Sequence, residues 1–187
     1  MKILLVVAHP RLESLTRQAA ANFASAAEAR GHAIEWADLY AEGFDPLVRE
    51  ADEPDWTNSN KTYSPAVEAE MARIRHNEAT VMVFPVWWWS MPAILKGWID
   101  RVWNNGFAYG ENTYPHKHVL MIAVGGASAA DYEKRGYDSV MRTTLGTGIL
   151  GYSGIDHGRL ELLYDGIEGG PAAERVIARA RQLGATF

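Results

Sequence analysis

Residues 81–103 read Val81-Met82-Val83-Phe84-Pro85-Val86-Trp87-Trp88-Trp89-Ser90-Met91-Pro92-Ala93-Ile94-Leu95-Lys96-Gly97-Trp98-Ile99-Asp100-Arg101-Val102-Trp103. Three kinds of structure follow one another within them. Val81 to Phe84 is a continuous apolar run, the composition of a strand buried on both faces, and Pro85 ends it. Three consecutive tryptophans come next. Successive side chains diverge, so the three indoles cannot all enter one core and at least one is expected to stay partly exposed. Ser90 is predicted to cap a helix with Pro92 in its first turn. In that helix Leu95, Trp98 and Val102 recur at helical spacing, while Lys96 and Asp100 face elsewhere. A buried strand, an aromatic loop and an amphipathic helix make one βα unit of a parallel sheet.

The same unit recurs on either side. Ile3 to Ala8 is an apolar run rich in branched residues, broken by His9-Pro10-Arg11-Leu12-Glu13. Ser14 then caps a helix whose apolar side is Leu15, Ala19, Phe23 and Ala26, ending near Arg30-Gly31. Ala33–Leu39 reads as a second strand. A polar stretch from Ala41 to Ser64 is long enough to be functional or mobile. Pro65 opens a helix through Asn77, Val119–Val124 is a fourth strand closed by Gly125-Gly126, and Asp138–Leu150 reads as a helix. Ile155–Leu163 is a fifth strand and Pro171–Leu183 a closing helix. Alternating strands and helices predict one α/β domain over residues 1–187, a five-stranded parallel sheet of order 2-1-3-4-5 with helices on both faces. A ligand site is expected at the carboxyl ends of strands one, three and four.

Composition narrows the function. The chain has 187 residues and no cysteine, which excludes disulfides, thiolate metal sites and a cysteine nucleophile. A net charge of −5 without a basic cluster argues against nucleic acid. The longest run without a polar residue, Val81–Trp89, is far short of the ~20 residues a membrane span needs, and the first eight residues are too short for a signal peptide. A cytoplasmic protein without an integral membrane segment is the expectation.

Each of the three strand-end loops has a chemical reading beside a plain one. The helix opening at Ser14 presents free N–H groups and a positive dipole end, suited to phosphate, with Ser14, Thr16 and His9 adding donors; otherwise Ser14 is only a cap. The tryptophans Trp87, Trp88 and Trp89 offer a stacking wall for a planar ligand such as a flavin, or else the anchors of a dimer interface. Ile94, Leu95 and Trp98 on the next helix are candidates to join that interface. Gly125-Gly126 lets a backbone approach a ligand and donate N–H groups, as a reduced flavin's negative edge requires, or is a turn that needs positive φ.

Other motifs fail on context. Gly146-Thr147-Gly148-Ile149-Leu150-Gly151 spells the dinucleotide fingerprint, but its mechanism needs a preceding strand and a following helix, and here the order is reversed. His116 and His118 share one side of a strand without a third ligand at useful spacing, so they read as surface polar residues and no metal site is expected. Asp156-His157 has no serine at a nucleophile elbow. Asn60-Lys61-Thr62 is a glycosylation sequon without a secretory signal.

The block Phe84–Trp103, continuing through Phe107-Ala108-Tyr109-Gly110, resembles the signature of the flavodoxin-like NAD(P)H:quinone oxidoreductases of the DT-diaphorase type. Ala8-His9-Pro10 with Ser14, and Gly125-Gly126, also match. The loop carrying Pro54-Asp55-Trp56 and Tyr63-Ser64-Pro65 is similar to a bacterial branch of NAD(P)H oxidoreductases. The resemblance implies a cytoplasmic homodimer that binds FAD, with FMN as the alternative, at the strand ends. It implies two-electron transfer from NAD(P)H through the flavin to quinones or similar flat electrophiles, by a ping-pong route. By position, His9, Ser14, Leu15 and Thr16 would surround the flavin's phosphates. Pro85, Val86, Trp87, Trp88 and Trp89 would line the isoalloxazine, and Val124, Gly125 and Gly126 its pyrimidine edge. Tyr109 matches a tyrosine that reaches the neighbouring subunit's substrate pocket. Tyr132 aligns with a tyrosine that assists proton transfer with a histidine six residues on, where this chain has Asp138. The rival functions are a flavin-binding ancillary subunit of a potassium-efflux system and a flavodoxin-type electron carrier. The Phe107–Gly110 segment favours the enzyme.

Overall fold

The computed structural model describes residues 1–187. Strands β1 (Lys2–Val7), β2 (Ala33–Asp38), β3 (Ala79–Pro85), β4 (His118–Val124) and β5 (His157–Leu163) form one parallel sheet in the order β2-β1-β3-β4-β5. Helix α1 spans Leu15–Glu28, α2 Pro65–His76, α3 Ala93–Val102, α4 Ala129–Arg135, α5 Tyr137–Met141 and α6 Gly170–Ala185. The expected architecture is present.

Alternation along the central strands divides the core. Ile3, Leu5, Val7, Val81, Val83, Leu120 and Ile122 pack under α1 and α6, against Phe23, Val176, Ala180 and Leu183. Leu4, Val6, Met82, Phe84, Met121 and Ala123 face α2, α3 and the 142–151 segment. Strands buried on both faces have no polar side to show, which is why they read as continuous apolar runs. Helices α1 and α6 touch at Gly184, where an added Cβ would lie 2.2 Å from the Phe23 carbonyl oxygen.

Several details depart from the sequence expectations. Pro85 is the last residue of β3 instead of its terminator. It tolerates the position because Val86 supplies the N–H that reaches Val124 O at 2.9 Å. Helix α3 starts at Ala93 with Pro92 as its cap residue. Ser90 caps nothing, because its backbone closes a turn with Trp87. The stretch expected to be one helix over 138–150 is the short α5 followed by a π-helical segment, Arg142–Gly151, and the rejected glycine fingerprint lies inside it. Helix α4 was not anticipated. Leu95 and Trp98 are fully buried within the chain and are unavailable to a partner. His116 is buried as well. Its Nδ1 meets Thr80 Oγ1 and its Nε2 the Ile74 and Asn77 carbonyls, all at 2.8 Å, and burial lowers its pKa.

The 41–64 stretch is tied down. Arg101, from α3, bonds Asp52 Oδ2 at 2.8 Å with both side chains buried, and also reaches the Asp45 carbonyl. Ser64 N–H and Oγ donate to the same Asp52 carboxylate at 2.9 and 3.0 Å. Burial opposes the charge on Asp52, but Arg101 and Ser64 outweigh it and hold the carboxyl below the ordinary range. Gly97 lets the loop in, since an added Cβ there would lie 2.3 Å from Pro46 O. A long polar loop is held by one buried guanidinium and one missing side chain.

Candidate active site

Three loops converge at the carboxyl ends of β1, β3 and β4. Between them lies a cavity of about 280 Å³ lined by His9, Ser14, Leu15 and Thr16 from the first loop, Pro85, Val86 and Trp87 from the second, and Val124, Gly125 and Gly126 from the third. Arg11, Gly166 and Ile167 also border it. A second cavity, about 360 Å³, shares Val86 and holds Trp88, Trp89 and Tyr132. Thirteen of the fourteen residues singled out from the sequence thus line one of two adjoining spaces. Tyr109 lines neither.

The first loop is made of donors. Ser14 caps α1, its Oγ accepting from Arg17 N–H at 3.3 Å. The N–H groups of Leu15 and Thr16 have no partner within the chain, as the first turn of a helix requires. His9 Nδ1 accepts the Arg11 N–H at 3.0 Å, which places the ring proton on Nε2 as a further donor. Burial, then the charges of Arg11 and Arg17, keep the His9 pKa below its ordinary value, so near neutrality the imidazole is uncharged.

The third loop is made of absence. A Cβ on Gly125 would lie 2.6 Å from the Tyr132 hydroxyl oxygen. Gly125 N–H is spent on Leu163 O at 2.7 Å, whereas Gly126 N–H is free. The glycines therefore admit both a tyrosine hydroxyl and a ligand edge to the backbone. Neither glycine has positive φ, so close approach, and no turn, explains them.

The second loop is strained. Trp87 and Ser90 exchange backbone hydrogen bonds at 3.0 and 3.1 Å, and the two corner residues, Trp88 and Trp89, have φ of 50° and 54°. That is the φ pattern of a type I′ turn, which glycine and asparagine ordinarily fill. A side chain in this region costs about 1–2 kcal/mol per residue. The strain sets Trp88 out at 88% exposure, while Trp89 lies against Tyr137 with ring centroids 4.1 Å apart. Trp87 sits 6.4 Å from the His9 ring.

Tyr132 is buried, and burial raises its pKa, so its hydroxyl stays protonated and can donate. Tyr164 meets it edge-on at 5.1 Å, Tyr137 at 6.0 Å. Its neighbours are tyrosines; no imidazole contacts it. Asp131, Arg135 and Tyr137, which line the larger cavity, were missed from the sequence. The signal available was Ser128-Ala129-Ala130-Asp131, a helix start with Ser128 Oγ accepting Asp131 N–H at 3.2 Å.

Tyr109 belongs to a separate aromatic surface. Its ring is 5.6 Å from Trp56 and 5.5 Å from Tyr152, which are 70% and 66% exposed. The clamped loop fixes this segment, with Asn105 Nδ2 donating to Asp55 O at 2.7 Å and Tyr63 Oη to Asn105 O at 3.2 Å. No group of three or more histidines, cysteines or carboxylates is arranged for a metal, and no helix is long and apolar enough to cross a membrane.

The arrangement fits a flavin. A donor-rich helix start takes phosphate, an unpartnered Gly126 N–H and a side-chain-free backbone take a polar ring edge, and indoles take the ring faces. Residues 1–185 match the family model described as a flavodoxin-like fold. A protein of Escherichia coli (strain K12) named as an NAD(P)H oxidoreductase is 39% identical over 156 residues, covering 83% of this chain and 79% of its own. The NAD(P)H dehydrogenase [quinone] 1 of Rattus norvegicus is 30% identical over 187 residues, 87% of this chain and 68% of its own. Among solved structures, an NAD(P)H:quinone oxidoreductase from Methanothermobacter marburgensis superposes with a TM-score of 0.94 at 27% identity, covering 100% of this chain and 95% of that one.

Proposed function

The chain belongs to the flavodoxin-like family of NAD(P)H:quinone oxidoreductases, and from this we propose that it is a flavin-dependent enzyme reducing quinones and similar flat electrophiles with NAD(P)H. The observation that carries the proposal is the junction of two cavities at Val86, one donor-lined and one aromatic. The donor-lined cavity would hold a flavin, which when bound would supply hydride-accepting and two-electron-donating chemistry, and the aromatic cavity would take the flat acceptor.

The residues divide the remaining work. His9 Nε2–H, the Leu15 and Thr16 N–H groups and the Ser14 cap hold phosphate. Pro85, Val86 and the three tryptophans bound the ring, with Trp88 and Trp89 excluding water from one side. Val124, Gly125 and Gly126 meet its pyrimidine edge, where the Gly126 N–H offsets negative charge. Tyr132, protonated and beside Gly125, holds a proton at Oη for the reduced acceptor. Where the family has a histidine this chain has Asp138, which offers no imidazole N–H, so Tyr132 works without that partner.

The active species is a homodimer, in which Tyr109 of the partner subunit closes the acceptor site. The exposed rings of Trp56 and Tyr152, which flank the half-buried Tyr109, support this as aromatic anchors for a second subunit. FAD is the proposed flavin, FMN the alternative, and the whole chain acts as one flavin-binding unit in the cytoplasm. The relatives' names favour the enzyme over a transporter subunit or an electron carrier. Fluorescence titration of the apoprotein with FAD and FMN tests the flavin assignment. Tighter FAD binding is expected, and tighter FMN binding would reverse it.

A further inference from the structure

The larger cavity carries one feature that the chemistry so far leaves unused. Its walls are aromatic and apolar, apart from Asp131 and Arg135. Arg135 ends α4, and Gly136, at φ 71°, turns the chain so that Tyr137 begins the next helix. The Arg135 side chain lies against the Tyr137 hydroxyl, and Tyr137 in turn stacks on Trp89. Asp131, one helical turn earlier, is the obvious counter-ion. Its carboxylate instead accepts the Ser128 hydroxyl at 2.8 Å, and Arg135 makes no ion pair with it or with any other carboxylate. A cation at a helix end also complements the helix dipole, but Lys134 beside it serves that purpose from outside the cavity.

The result is an exposed guanidinium at an aromatic cavity, with no carboxylate in salt-bridge contact although Asp131 lines the same space, in a chain whose net charge is −5. With the Tyr137 hydroxyl as one partner, the guanidinium keeps further N–H groups that match a carboxylate or sulfonate, and aromatic walls are matched by a planar ring. A volume of about 360 Å³ is at the small end of ligand pockets and accommodates a bicyclic ring.

We propose that Arg135 determines acceptor specificity, binding an acidic substituent, carboxylate or sulfonate, on a flat aromatic acceptor whose ring lies among Trp88, Trp89 and Tyr137. This rests on the proposed function, because it places the acceptor in that cavity. The same anion chemistry occurs in the phosphates of the nicotinamide donor, and the experiment separates the two.

The probes are 1,4-naphthoquinone and its 2-sulfonate, with wild-type, Arg135→Ala and Arg135→Lys proteins, all flavin-loaded. Equilibrium binding to the oxidised protein is read by quenching of tryptophan fluorescence, which involves no turnover. KM for each quinone and for NADH and NADPH is then measured. Comparing the sulfonate-to-neutral ratio between proteins cancels the different redox potentials of the two quinones. In Arg135→Ala that ratio is expected to rise by about tenfold or more in both Kd and KM, the loss of one charge-assisted hydrogen bond, and Arg135→Lys is expected to reverse part of the rise. A ratio within about twofold of wild type in both variants would overturn the proposal. A rise in the KM for NADPH with the quinone ratio unchanged would also overturn it, assigning the guanidinium to a donor phosphate. If wild type binds both quinones but reduces neither, the proposed function fails while the Kd ratio still decides the role of Arg135.

Discussion

The two halves of the site are built by opposite means. At the first loop the donors are backbone N–H groups at a capped helix start, in relaxed geometry, with one imidazole oriented by a backbone bond. At the tryptophan loop the functional surface is all side chain, set out by two residues in left-handed backbone that neither favours. The first half is nearly indifferent to which residues surround the cap. The second depends on particular side chains held at an energetic cost, and on the proposed function it is there that planar ligands would be selected. On the proposed function, phosphate would be recognised by what any helix start offers, and a ring by side chains held in strained backbone.

Four outcomes would sharpen or break that contrast. The largest is expected where backbone must stay bare. Gly125→Val drives carbon into the space of the Tyr132 hydroxyl and should weaken flavin binding by about 1–3 kcal/mol, about fivefold to over a hundredfold, in a fluorescence titration. Unchanged affinity would mean that the ligand edge does not meet this backbone. Next, Trp88→Ala removes an indole that is 88% exposed and supports nothing inside the fold. Flavin or acceptor affinity should drop by the ~0.5–1.5 kcal/mol of a stacking contact, with the melting temperature unmoved.

Trp88→Gly separates strain from stacking. It should lose the same affinity and yet raise the apoprotein's stability by about 0.5–1 kcal/mol, because glycine accepts the 50° φ freely. Equal stability of the Ala and Gly variants in urea would show that no strain is stored at the turn.

The smallest effect concerns His9. Its folded pKa is lowered, so above the ordinary value of about 6.5 both states are neutral and it contributes no pH dependence. As pH falls below that, the unfolded chain binds a proton that the folded chain resists, and stability declines until the folded pKa is passed. His116, lowered in the same way, adds to the decline. His9→Asn should therefore flatten, without abolishing, the loss of urea midpoint between neutral and mildly acidic pH. A wild-type midpoint that rises on acidification through this range would contradict both assignments.

What could be read in advance follows the same division. Strands buried on both faces announce themselves as apolar runs, and β1, β3 and β4 with the order of the sheet followed from Ile3–Ala8, Val81–Phe84 and Val119–Val124. The site was legible where glycine, serine or tryptophan stood at a strand end. It was illegible where function depends on how a chain turns after the strand. Asp131, Arg135 and Tyr137 reach the cavity only because Ser128 starts a short helix and Gly136 reverses it, and neither is visible in an apolar pattern. His116 looked like a surface residue because a polar ring in a period-two pattern gives no sign of the Thr80 hydroxyl and the two carbonyls that satisfy it inside. The 41–64 stretch read as functional or mobile, since its rigidity comes from Arg101, which sits on α3 well away in sequence.

The central claim is that this site moves electrons from a nicotinamide to a flat acceptor. It is tested most directly by adding NADPH, and separately NADH, to the flavin-loaded protein without oxygen, recording the visible flavin band, and then adding 1,4-naphthoquinone. The band should bleach with at least one nicotinamide and return with the quinone. A band that persists through both nicotinamides would contradict the account and leave a protein that binds flavin without turning it over.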